Sequence, residues 1–141
     1  MIYCDTSLLV TALTPEDETG AAQAWLAHQE EGQLCISGWT VTEFSCALSR
    51  KLRRGELSPE QRADVLTAWR LMQSEILEQT SIPTEAFDMA AAYVDRDDMA
   101  VRAGDALHLA IAANGGHQLA SRDEAMSQAA TAIGVRVAQV A

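Results

Sequence analysis

A chain of 141 residues and 15.2 kDa, 48% apolar and 21% charged, can bury one substantial core and is too apolar for a disordered segment. Its net charge of −10 speaks against a surface built to hold nucleic acid and favours solubility, a basic partner, or acids gathered for metal ions. Its three cysteines, odd in number and without CxxC spacing, argue against a closed disulfide framework. No basic leader precedes an apolar run, and no run approaches the ~18 apolar residues of a membrane span. The expectation is one soluble, cytoplasmic domain over residues 1–141.

In chain order, residues 2–4 predict a short strand ending at Asp5, and residues 8–13 a helix. Pro15-Glu16-Asp17-Glu18 opens a second helix that reaches Ala27, its early acids suiting a helix N-terminus, and Gly32 stops it. Residues 33–36 predict a second strand closed by Ser37-Gly38. Residues 40–54 form a helix with a basic last turn that ends at Gly55. Ser58-Pro59-Glu60-Gln61 carries the signature of a helix start, with Ser as N-cap, Pro at the first position and Gln at the third. That helix aligns Val65, Leu66, Trp69, Met72 and Ile76 on one face.

Residues 79–82 suggest a short strand before Pro83. In residues 84–94, Phe87, Ala90, Ala91 and Val94 fall at helical spacing. The polar stretch 95–98 breaks the pattern, and residues 100–113 are apolar around most of a helical circumference, as in a central buried helix. After Asn114-Gly115-Gly116 follow a strand at 117–120, a helix at 124–133 and a last strand at 135–140. Strands alternating with helices argue for an α/β fold with a mainly parallel sheet. Cys4 and Cys35 lie in apolar strand-like runs and read as buried free thiols.

Three acids, Asp5, Glu43 and Asp123, stand just after predicted strands, and in a parallel sheet those strand ends share one edge, where ligands bind. Asp105 belongs to the apolar helix, with Leu109 and Ala112 as its neighbours one and two turns on. A carboxylate there is costly unless paired or bound to a cation. Each acid also has a local role open to it. Asp5 and Asp123 can cap the helices that follow, Glu43 can close a capping box with Thr40, and Asp105 can be a first-turn acid beside Gly104. Their joint placement favours a shared site. Converging carboxylates repel one another unless a cation joins them. Mg²⁺ or Mn²⁺ suits such oxygen ligands, whereas His28, His108 and His117 show no zinc-ligand spacing with the cysteines. His108, three residues after Asp105, can either reach the site or pack in the core.

At Ile2-Tyr3-Cys4-Asp5-Thr6-Ser7, Thr42-Glu43-Phe44, Gly104-Asp105-Ala106-Leu107-His108-Leu109-Ala110 and Ser121-Arg122-Asp123 the sequence resembles the PIN-domain family, specifically its VapC-like toxins. The pieces occur in family order and span nearly the whole chain. The resemblance implies a Rossmann-like, five-stranded sheet of order 3-2-1-4-5 flanked by helices. It also implies a metal-dependent ribonuclease whose acids match Asp5, Glu43, Asp105 and Asp123, a homodimer, and a small VapB-like antitoxin as inhibitor. Ser121 stands where many relatives have Thr, and a hydroxyl is kept.

Such residues support phosphodiester hydrolysis of RNA. Asp5 and Asp105 would be the principal Mg²⁺ or Mn²⁺ ligands, Asp123 and Glu43 would complete the site, and Thr6 and Ser121 would offer hydroxyls to the carboxylates. Arg50 and Arg54 lie within about 20° of the direction of Glu43 on their helix, so a basic stripe could guide an RNA backbone away from the acids. A solvated helix C-terminus explains the same arginines. Two other classes stay open. One is a PIN-type nuclease acting on other RNA or DNA in processing or repair. The other is a Mg²⁺-binding regulatory, phosphotransfer or noncatalytic domain, and a receiver of that kind is disfavoured because Lys51 is the only lysine.

Overall fold

The computed structural model describes residues 1–140. Four short strands, β1 (Ile2–Cys4), β2 (Leu34–Ser37), β3 (Glu78–Thr80) and β4 (Gln118–Ala120), form one parallel sheet of order β3-β2-β1-β4. Tyr3 stands opposite Cys35 on one side and Leu119 on the other, so β1 is central. The chain reverses its strand order between β1 and β4, which places the switch point beside Asp5.

Period-two alternation sends β1 side chains to opposite faces of the sheet. Cys4 packs with Leu8, Leu26, Phe44, Leu48 and Trp69, from α1 (Thr6–Leu13), α2 (Thr19–Ala27), α3 (Gly38–Arg53) and α4 (Pro59–Glu75). Tyr3 packs with Ala86, Leu109, Ile111 and Met126, from α5 (Thr84–Val94), α6 (Ala103–Gly115) and α7 (Glu124–Ala132). The result is a helix–sheet–helix sandwich. Phe44 stacks on Trp69 with ring centroids 4.3 Å apart, fastening α3 to α4. Cys4 and Cys35 are buried free thiols, as expected, while Cys46 is exposed. Among the described residues no helix is long and apolar enough to cross a membrane.

The expected fifth strand is reduced to a single bridge between Val137 and Leu119. Its hydrogen bonds explain why. Leu119 N–H donates to the Arg136 carbonyl at 2.8 Å, and Ala138 N–H donates to the Leu119 carbonyl at 2.8 Å. Successive residues of a strand point their backbone groups to opposite sides, so of three residues in β4 only the middle one faces outward.

Other boundaries shift for local reasons. α2 starts at Thr19, because Thr19 Oγ1 accepts from Glu16 N–H at 2.9 Å and donates to the Thr14 carbonyl at 2.7 Å, holding residues 15–18 in a turn. α6 starts at Ala103 behind Arg102, three residues later than expected. α4 begins as read, with a complete Ser58–Gln61 capping box. It ends at Glu75, so Ile76 is 51% exposed and Leu77 enters the core in its place. On α5, Phe87 and Val94 share the helical spacing of buried Ala90 yet are exposed.

Candidate active site

Asp5 leaves β1 and caps α1, the local role open to it. Its Oδ1 accepts from Leu8 N–H at 3.3 Å and from Ser7 Oγ at 2.7 Å, and its Oδ2 accepts from Ser121 Oγ at 2.6 Å. With 3% exposure, burial pushes this carboxyl above the usual aspartate value against the pull of those donors and of His108. Ser121 Oγ also accepts from Asp123 N–H at 3.0 Å, and Ser7 Oγ accepts from Arg122 N–H at 3.0 Å. These bonds stitch the end of β1 to the end of β4. Asp123 caps α7 through Met126 N–H at 3.2 Å.

Glu43 departs from the capping role available to it. α3 begins at Gly38 behind Ser37, and Thr40 closes that box by accepting from Ser37 N–H at 3.3 Å. Glu43 therefore falls in the second turn, and its Oε1 instead accepts from Thr6 Oγ1 at 2.7 Å and meets His108 Nε2. Against a burial effect that would raise it, the His108 contact, Thr6 and the nearby Arg50 hold the Glu43 carboxyl below the usual glutamate value. Glu43 also lies against α6: a Cβ on Gly104 would stand 2.9 Å from its Oε2.

Asp105 is the half-buried first-turn acid of α6. Burial raises its carboxyl, and the Asp123 and Glu43 carboxylates raise it further. The acids thus share one electrostatic field. All four line a single cleft of about 810 Å³, together with Thr6, Ser7 and His108. Arg50 and Arg54 line the same cleft, and so does Arg102, which sequence reading did not single out. Lys51 is engaged by Glu16 at 3.4 Å and Glu56 at 3.7 Å. Trp39 forms the far wall, its indole N–H donating to the Gly104 carbonyl at 3.3 Å. Beyond it an apolar groove of about 670 Å³ runs past Phe87, Val94 and Leu107.

Sequence reading left the role of His108 open and missed that of Tyr3. His108 is 1% exposed and bridges Tyr3 to Glu43. Its spacing from Asp105 was the available signal, whereas nothing in a strand tyrosine announced a hydroxyl aimed at a site. Ser7 was missed likewise, although it adjoins Asp5-Thr6.

Among the described residues no three His, Cys, Asp or Glu side chains form a ready-made metal cage. The hydrogen bonds account for that: Asp5 is turned toward two serines, Glu43 toward Thr6 and His108, and Asp123 toward its helix. The donor set still fits a hard cation that keeps most of its waters. Mg²⁺ needs only one or two carboxylates, and the Asp105 carboxyl is raised first by burial and then by its neighbours' negative charge, the part a cation would relieve.

The family model for the PIN domain matches residues 2–132. No curated protein matches the sequence. Among solved structures, Mycobacterium tuberculosis VapC20, described as a sarcin-ricin loop cleaving toxin, is similar at a TM-score of 0.73 and 18% identity, over 99% of this chain and 99% of its own. FitAcB from Neisseria gonorrhoeae is similar at 0.69 and 21% identity, over 99% and 97%. VapBC2 from Rickettsia felis, bound to a DNA fragment from its promoter, is similar at 0.66 and 14% identity, over 98% of both chains. At such identities the likeness is one of fold.

Proposed function

The chain belongs to the PIN-domain family, and from that premise we propose that it is a Mg²⁺- or Mn²⁺-dependent endoribonuclease, the toxin of a toxin–antitoxin pair. The observation that carries this reading is the convergence of Asp5, Glu43, Asp105 and Asp123, from four separate elements, on one cleft at the carboxyl edge of a parallel sheet. RNA as substrate draws support from the description of VapC20 as a toxin that cleaves the sarcin-ricin loop.

In this reading Asp5 and Asp105 hold the divalent ion, with Asp123 beside them. When bound, the ion lowers the pKa of a water and neutralises charge developing on the phosphate. Glu43 orients the attacking water by accepting its hydrogen bond. Ser7 and Ser121 fix the rotamer of Asp5, and Thr6 that of Glu43. Arg50, Arg54 and Arg102 hold phosphates of the RNA backbone along the cleft walls, which offsets the acidic total of the chain.

The partners follow from the same premise. The small VapB-like antitoxin is a proposal supported by structural neighbours that are toxin–antitoxin complexes, and the homodimer is a proposal that rests on the family resemblance alone. An antitoxin arginine set against the carboxylates would replace the cation's charge with guanidinium charge. The apolar groove past Phe87 and Val94 supplies surface for the rest of that segment.

The test is cleavage of an RNA panel by purified protein, with and without Mg²⁺ or Mn²⁺, beside Asp5→Asn and Asp105→Asn. Cleavage that depends on the ion and vanishes in both variants is expected. Cleavage that survives EDTA, or persists in both variants, would defeat the reading. Growth arrest on expression, relieved by a small adjacent gene product, separates a toxin from a housekeeping nuclease.

A further inference from the structure

Behind the cleft lies a chain of hydrogen bonds through the core. The Tyr3 hydroxyl, on a fully buried side chain, lies 2.7 Å from His108 Nδ1, 2.8 Å from Ser37 Oγ and 3.2 Å from Thr40 Oγ1. The other ring nitrogen, Nε2, meets Glu43 Oε1 and lies 3.4 Å from Thr6 Oγ1. We infer that Tyr3 and His108 are positioning residues: the Tyr3 hydroxyl fixes the His108 ring so that its Nε2–H holds Glu43 Oε1 and leaves Oε2 at the cleft. The role rests on the nuclease reading, in which Glu43 orients the attacking water.

The direction of the chain follows from donor and acceptor inventory. An ionised carboxylate only accepts, and Thr6 already donates to Oε1 at 2.7 Å. The remaining contact on Oε1 needs a donor, and Nε2–H is the group in place. Nδ1 is occupied by Tyr3, so the ring cannot flip without leaving the tyrosine hydroxyl facing a carbon. Ser37 and Thr40 can each give a hydrogen to the tyrosine oxygen, which anchors the chain at the end of β2. Four elements, β2, β1, α6 and α3, therefore set the place of one cleft carboxylate. A histidine packed only for volume would need no such sequence of partners ending on an acid.

The test compares single-turnover and steady-state cleavage of single-stranded RNA by the full chain in Mn²⁺ for wild type, Tyr3→Phe, His108→Gln and His108→Leu. It is joined by a nitrogen-15 imidazole spectrum of the metal-free wild type, with His108 assigned by the signal missing in His108→Gln. Partners of site groups in this position are worth about ten- to a hundredfold. We expect Tyr3→Phe to lower kcat about tenfold and His108→Leu about a hundredfold, both with KM unchanged. His108→Gln should recover much of the loss, because its amide N–H stands near the place of Nε2–H. The spectrum should show a proton on Nε2, whatever the state of Nδ1. Unchanged kcat in Tyr3→Phe, a loss carried by KM alone, or a bare Nε2 would overturn the inference. If His108→Leu fails to fold, Tyr3→Phe, which removes one oxygen and keeps the ring, decides the kinetics. If wild type cuts no RNA, the nuclease reading fails separately, and the site of the imidazole proton alone decides whether the relay exists.

Discussion

Gly104→Ala should cost activity while leaving the protein folded. Gly104 is the second residue of α6 and is not among the glycines with positive φ, so alanine fits its backbone and gains up to about 1 kcal/mol of helix propensity. The added Cβ would stand 2.9 Å from Glu43 Oε2 and 3.3 Å from Trp39 Cζ2. Glu43 must swing away, and its Oε1 is held by Thr6 and His108. Losing one hydrogen bond to a charged group costs about 1.5–3 kcal/mol. Set against the helix gain, the net loss of stability is about 0.5–2 kcal/mol. Urea unfolding should show a slightly lower midpoint with an unchanged slope. RNA cleavage in Mn²⁺ should fall by about ten- to a hundredfold in kcat, since Glu43 no longer faces the cleft as before. Wild-type cleavage by a folded Gly104→Ala protein would refute the idea that the packed position of Glu43 matters to the chemistry.

Asp5→Asn should unfold at higher urea than wild type at neutral pH while losing cleavage, a gain of about 0.5–2 kcal/mol typical of relieving a functional strain. The sign follows from its raised carboxyl. The stability contribution of Asp5 is complete below the unfolded aspartate value and is lost as pH rises through the higher folded value. The advantage of the variant should therefore shrink toward acid pH, and a variant less stable than wild type at neutral pH would contradict it. Arg50→Glu with Arg54→Glu should weaken RNA binding and flatten its salt dependence by about 0.7 in log–log slope per lost phosphate contact. Unchanged binding, measured by salt-dependent fluorescence anisotropy, would remove these arginines from the interface. Ser58→Ala breaks the capping box of α4 and should cost about 1 kcal/mol of stability, read from urea unfolding, with cleavage untouched.

The order of elements was legible because each carries its own local signal. Ser58-Pro59-Glu60-Gln61 behaves as it reads, and the apolar circumference of residues 106–112 does mark a buried helix. Asp5, Glu43 and Asp123 were legible through their strand ends, Asp105 through its apolar helix, and all four through the family likeness, yet their individual partners were not. Ser37 and Thr40 are both competent caps, and only the packed structure shows that Thr40 answers Ser37 and frees Glu43. His108 meets Glu43 across 65 positions, a pairing that no local pattern contains. Periodicity marks an apolar face without telling a buried one from an exposed one: Phe87 and Val94 share the spacing of buried Ala90 and lie exposed. The fifth strand failed as a strand because β4 is too short to offer more than Leu119 as a neighbour.

Whether the cleft acids hold one shared cation can be read without substrate, by titrating Mn²⁺ into metal-free wild type and Asp105→Asn and following the free ion by electron paramagnetic resonance. The wild type should take up Mn²⁺ at a defined site, and Asp105→Asn should bind about tenfold more weakly or worse. Equal uptake by the two proteins would contradict a metal site built on Asp5, Asp105 and Asp123, and with it the proposed hydrolytic chemistry.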